Sequence, residues 1–109
     1  MTERARWRMT LQELCHRVDA RPQDLVDWAR LGALGPAWQE TTENKWRHIT
    51  KKVANRAIVM RYLLDAGLAE ELAARIADSA ADRLAAGDKL GYGDGLVQVQ
   101  LDPTKMDLE

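Results

Sequence analysis

Residues 10–32 read TLQELCHRVDARPQDLVDWARLG, and the spacing inside this stretch decides the fold. Thr10 with Glu13 three residues later is a capping box: the Thr hydroxyl accepts from the Glu13 amide and the Glu side chain accepts from the Thr10 amide. A helix therefore starts at Leu11. Leu11, Leu14, Cys15 and Val18 fall at spacings of three and four and form one apolar face of a short helix ending near Asp19, with Arg17 pointing away. Pro22 suits the first position of a second helix, where its missing N–H would be unpaired anyway. Leu25, Trp28, Ala29 and Leu31 supply the buried side of that helix, and Gly32 ends it. Only Asp19 to Arg21 lie between the two, which leaves room for nothing but a sharp turn, and Asp tolerates the left-handed conformation better than most residues. The spacing predicts helix-turn-helix geometry.

Beyond Gly35 and Pro36, the segments Ala37–Glu40 and Lys45–Ile49 flank the polar Thr41 to Asn44 and are expected to form a hairpin. A three-residue loop would place Trp38 and Trp46 on the same side, and a four-residue loop would not. Thr50 can cap a third helix over residues 51–66, with Val53, Ala57, Met60 and Leu64 as its stripe and Gly67 as its C-terminal cap. Leu72, Ile76, Ala80 and Leu84 repeat every four residues and predict a fourth helix over about 69–86, ended by Gly87. Residues 90–95 contain three glycines and read as a flexible connector. In residues 96–101, Val97, Val99 and Leu101 alternate with Gln98 and Gln100, a strand stopped by Asp102 and Pro103. One strand alone is unstable. It must add to the hairpin as a third strand or pair with another subunit or protein, and the reach of the connector favours Val97, Val99 and Leu101 as oligomer or partner contacts.

The whole chain, 109 residues, suits one small domain with a single core, divided here into a helical unit over 1–88 and a connector and strand over 89–109. With 46% hydrophobic and 30% charged residues it falls in the soluble globular class. Its aromatics are four Trp and two Tyr with no Phe, so the core must come mainly from Leu, Ile, Val, Met and Ala, a composition that favours helices. The single Cys15 cannot form an internal disulfide, and with His16 and His48 it makes no zinc ligand set. No apolar run follows the charged Glu3, Arg4, Arg6 and Arg8, and nowhere do 18 apolar residues occur together, so a cytoplasmic protein without membrane contact is expected.

The formal charge of −1 conceals a division. Residues 1–62 hold 12 Lys and Arg against 7 Asp and Glu, whereas residues 63–109 hold 4 against 10. A surface for a polyanion therefore belongs in the first part. Catalysis finds little support. Cys15 and His16 are adjacent and point roughly 100° apart on a helix, so they cannot act as nucleophile and base. Cys15 reads instead as core. Glycines 91, 93 and 95 lack the Lys-Ser or Lys-Thr ending of a phosphate loop, and Asp78 with Asp82 reads as a solvated helix face. No catalytic residue, metal site or cofactor is expected.

The order helix, turn, helix, hairpin, two helices resembles the winged-helix DNA-binding domain of the MerR family and its relatives among phage excisionases and small terminase subunits. Leu11 to Pro36 is similar to the family's first two helices, with the Glu-Leu start, the helix-opening Pro22 and the Leu-Gly-x-Leu exit. Asn44-Lys-Trp-Arg-His-Ile-Thr50 is similar to the family's Asn-Gly-Tyr-Arg-x-Tyr-Ser wing, and Ala57 to Leu72 to the helix pair that follows. The resemblance covers about residues 9–80. It implies a mainly α fold with a β-hairpin wing, and double-stranded DNA as partner. Lys45, Arg47, His48, Lys51, Lys52 and Arg56 would contact phosphates, with Trp46 anchoring the wing. Arg21, Gln23 and Arg30 would enter a major groove from the second helix, and Arg17 would add a contact from the first. The pattern departs from the family at Asp24 and Asp27, which stand where neutral or basic residues are usual, at Arg21, which replaces a Ser cap, and at Ile49, which replaces a Tyr. The long dimerisation helix and metal-binding cysteines of the effector-sensing members are missing. The implied function is sequence-specific binding as a transcriptional regulator or excision factor. Alternatives are a small terminase subunit acting as an oligomer, or a protein-interaction module on the same fold without DNA binding.

Overall fold

Helix α1 (Leu11–Arg17) begins at the expected capping box, with Glu13 N–H donating to Thr10 Oγ1 at 3.0 Å and Thr10 N–H to Glu13 Oε1 at 3.2 Å. The chain then turns through Asp19 at φ 49, in the left-handed region anticipated for it, and Ala20 N–H returns to the Cys15 carbonyl at 3.0 Å. Helix α2 (Pro22–Arg30) opens with Pro22 at its first position and with Arg21 N–H donating to Asp24 Oδ2 at 2.9 Å. The acid that departs from the family pattern thus satisfies one of the amides a helix start leaves unpaired. The computed structural model describes residues 9–39, 49–93 and 98–109. Within them the protein is mainly helical and carries one two-stranded antiparallel hairpin.

Helix α3 (Lys51–Asp65) is capped by Thr50, whose hydroxyl accepts from Val53 N–H, and it is the centre of the molecule. The sequence marks one stripe on it, yet Val53, Ala54, Asn55, Ala57, Ile58, Val59, Met60 and Leu63 are all buried. Such burial nearly all round identifies a helix packed from several sides. Helix α4 (Glu70–Ala85) meets it with Ala73, Ala74, Ala77, Ala80 and Ala81 as well as Ile76 and Leu84, small residues that let the two axes approach. Leu14, Val18, Leu25 and Trp28 join the same core from α1 and α2.

Two expectations are corrected. The first strand of the predicted hairpin is not a strand: residues 37–39 are helical, with Trp38 N–H bonded to Gly35 O and Gln39 N–H to Pro36 O. Gly35 at φ 71 turns the chain and Pro36, with its fixed φ, opens a helical turn instead of an extended segment. Trp38 is buried in the core by that turn. Residues 40–48, with the expected loop, Trp46, Lys45, Arg47 and His48, lie outside the described residues. Ile49 does make a β contact, but with Met9, in an isolated antiparallel bridge whose Ile49 N–H to Met9 O distance is 2.7 Å.

The second correction concerns the C-terminal strand. The expected connector is itself strand β1 (Leu90–Gly93), and it pairs with β2 (Gln98–Leu101) in the register Leu90 opposite Leu101 and Tyr92 opposite Val99. Glycine at 91 leaves room for the opposing Gln100 side chain, because a Cβ there would stand 3.2 Å from its amide nitrogen. Val99 and Leu101 are buried in the protein's own core, so they are not the exposed contacts expected of them; Val97 lies outside the described residues. A short turn over Pro103–Lys105 follows, capped by Asp102, and Met106 is buried. The segment after residue 88 thus shares one core with the helices and is not a detached unit.

Candidate nucleic-acid interface

The outer face of α2 is built by a simple rotation. At about 100° per residue, Gln23, Asp27 and Arg30 lie roughly 140–200° around the helix from the buried Leu25. They point away from the core. Gln23 Nε2 donates to Asp27 Oδ1 at 3.0 Å, and Arg30 Nη1 stands 3.7 Å from the same oxygen, so one carboxylate oxygen joins both side chains. Arg21, at the start of the helix, has its Nε 3.7 Å from Asp24 Oδ2. The two acids that depart from the family pattern are each beside an arginine one turn away. The face is therefore neutral overall, with the guanidinium groups of Arg21 and Arg30 in solvent.

The orientation of α2 rests on a residue that pattern reading missed. Arg61, on α3, donates from Nη1 to the Asp19 carbonyl at 3.2 Å and places its guanidinium 5.6 Å from the centre of the Trp28 ring. It ties the turn and the buried tryptophan of α2 to the central helix, and Asp65 one turn on balances its charge at 3.3 Å. Only the i,i+4 spacing of Arg61 and Asp65 was visible in the sequence.

Two expected contact residues are committed elsewhere. Arg56 has its side chain only 11% exposed and donates to Asp78 Oδ1 at 3.2 Å, to Asp82 Oδ1 at 3.1 Å and to Asp82 Oδ2 at 3.3 Å. Burial alone would lower its pKa, but the hydrogen bonds to Asp82 and Asp78 outweigh that, so its pKa is raised. With two carboxylates already on it, Arg56 has no positive charge to offer a phosphate, and Asp78 with Asp82 is no mere solvated face. Gly35 lies directly against this cluster: a Cβ there would stand 2.9 Å from Arg56 Nε. Arg17 is likewise engaged, donating to the Asp107 carbonyl and standing 3.6 Å from both the Asp107 and Glu109 carboxylates. Glu109 N–H in turn donates to Asn55 Oδ1, the buried amide of α3, at 2.8 Å, so the last residues are held across α1 and α3.

Lys51 and Lys52 are exposed in the first turn of α3. Lys52 lines a cleft of about 340 Å³ together with Thr50, Arg56 and Leu34–Ala37, just beyond the exit of α2. The structure thus places Gln23 and Arg30 on the exposed face of α2, Arg21 at its N-cap and Lys52 beside the segment that follows it, and removes Arg17 and Arg56 from the set. Cys15 is half-buried, and burial first, then the Asp24 carboxylate, push its thiol up, which suits a packing role. Among the described residues no group of three or more His, Cys, Asp and Glu could hold a metal ion, and no helix is long and apolar enough to cross a membrane. No protein-family model, curated protein or solved structure matches this chain.

Proposed function

We propose that this protein binds double-stranded DNA as a winged helix-turn-helix protein, in the manner of a small transcriptional regulator or excision-type architectural factor. Helix α2 enters the major groove, Lys51 and Lys52 contact the backbone, and Lys45, Arg47 and His48, read from sequence, add to the cations available for phosphates. It acts by binding and not by catalysis. The observation that carries this reading is the unpacked polar face of α2, held at a fixed angle by the tight turn at Asp19 and by Arg61. A helix so presented, following a short helix and a turn of a few residues, suits the docking of a recognition helix.

The test is the salt dependence of binding to random-sequence duplex DNA. The wild-type protein is expected to bind at about 50 mM salt and to lose affinity steeply by about 200 mM. Lys51→Ala with Lys52→Ala should flatten the log–log slope by about 2, one for each phosphate that is no longer neutralised. An unchanged slope removes the two lysines from the interface. A second reading, an interaction module that does not bind DNA, is favoured by one observation: Arg17, Arg21 and Arg30 all stand within ion-pair distance of a carboxylate. Absence of binding at the lower salt would establish that reading over the first.

A further inference from the structure

We infer that Gln23, Asp27 and Arg30 form a base-reading unit, in which Gln23 selects an adenine, Arg30 selects a guanine on a separate base pair, and Asp27 positions both. The inference rests on the DNA-binding reading and goes beyond it by naming what is read. Its first support is the rotation that places all three side chains opposite the buried face of α2. Its second is the shared oxygen. Asp27 Oδ1 accepts from Gln23 Nε2 at 3.0 Å and pairs with Arg30 Nη1 at 3.7 Å, so two long side chains that would otherwise sample many rotamers are drawn to one point.

The hydrogen-bond inventory then limits what each can recognise. With one amide N–H spent on Asp27, Gln23 retains its second N–H and its carbonyl oxygen, the donor and acceptor that match adenine N7 and N6 in the major groove. Arg30, an ion-pair neighbour of Asp27 at 3.7 Å, keeps its guanidinium N–H groups to address guanine O6 and N7 together. Asp27 itself, with one oxygen between two donors, brings little uncompensated charge toward the phosphates. From Gln23 to Arg30 is seven residues, a rise of about 10.5 Å along α2, too far for both side chains to address one base pair. The two side chains therefore fall on separate base pairs. Asp27 is a positioning residue, because it acts through the two side chains and not on the bases.

The experiment is selection of preferred duplexes from a random library by the wild-type protein, repeated with single variants, with affinity for random duplex and thermal midpoint measured alongside. The wild type should enrich an adenine and a guanine at two positions of constant spacing. Gln23→Ala should lose preference at the adenine position only, and Arg30→Ala at the guanine position only, each by roughly tenfold. Asp27→Ala should relax both positions while the thermal midpoint shows that the protein stays folded and affinity for random duplex does not fall. Asp27→Asn, which keeps an acceptor oxygen without the charge, should retain the adenine preference and weaken the guanine preference. Retention of both preferences by Asp27→Ala, or enrichment of sites that lack the adenine or the guanine, overturns the inference. Binding without any sequence preference also overturns it but leaves DNA binding standing, whereas no binding by the wild type removes both.

Discussion

Arg56 and Arg30 make the same chemical pair, a guanidinium with aspartate, in two settings that give it opposite uses. Arg56 is 11% exposed and donates three hydrogen bonds to two carboxylates on the neighbouring helix. Arg30 is 73% exposed and stands at 3.7 Å from one carboxylate on its own helix. The first pairing joins α3 to α4 and braces the turn at Gly35, so its energy is committed to the fold. The second is screened by water, contributes little to stability, and can be exchanged for a ligand. Residue type alone would rank the two as equal DNA contacts; their surroundings separate them.

The largest effect that would break this comparison is expected from Arg56→Ala. It removes packing and three charge-assisted hydrogen bonds and should cost about 2–3 kcal/mol, since such bonds are worth more than neutral ones. The midpoint of urea unfolding measures it, and a loss no larger than that of an exposed pair would erase the distinction. A smaller effect is expected from acid. The Asp102 carboxyl is held below its usual range first by the Thr104 hydroxyl at 2.7 Å and then by the Thr104 N–H at 3.0 Å. A group whose folded pKa is lowered adds stability above its unfolded pKa of about 3.9 and loses it as pH falls through the folded value. Unfolding midpoints measured between about pH 5 and pH 2.5 should therefore fall less in Asp102→Asn than in the wild type. The smallest change is expected from Arg30→Ala, which should alter stability by no more than about 0.5 kcal/mol while altering base preference. A destabilisation matching that of Arg56→Ala would place Arg30 among the structural pairs.

Local signals carried most of the fold. Thr10 and Thr50 announced their helices because a cap is a contact between residues three apart, and Gly67 at φ 95 marks the end of α3 where a left-handed residue was expected. The misreadings came where a short segment fits two structures. Ala37 to Glu40 has too few residues for a period to show, and the turn set by Gly35 and Pro36 decided for helix at residues 37–39. Leu90 to Gly93 looked like a linker because two of its four residues are glycine, yet Leu90 and Tyr92 align with Leu101 and Val99 once the chain folds back. The candidate site was legible as a set of cations and not as a selection from it. Whether Arg56 meets solvent or Asp78 and Asp82 depends on the packing of α3 on α4, a contact that no spacing within either helix encodes. The same holds for Arg61, whose partners Asp19 and Trp28 lie far from it in sequence.

The single bridge between Met9 and Ile49 closes the stretch from residue 10 to residue 48 into a loop, and this has a kinetic meaning. Closing a long segment costs entropy before any contact rewards it, whereas α3 and α4 are joined by a few residues and meet at once. That difference predicts an order of assembly in which the alanine-lined pair α3–α4 forms first and the α1–α2 unit docks onto α3 afterwards. Amide hydrogen exchange is therefore expected to be slowest in α3 and α4 and faster in α1 and α2.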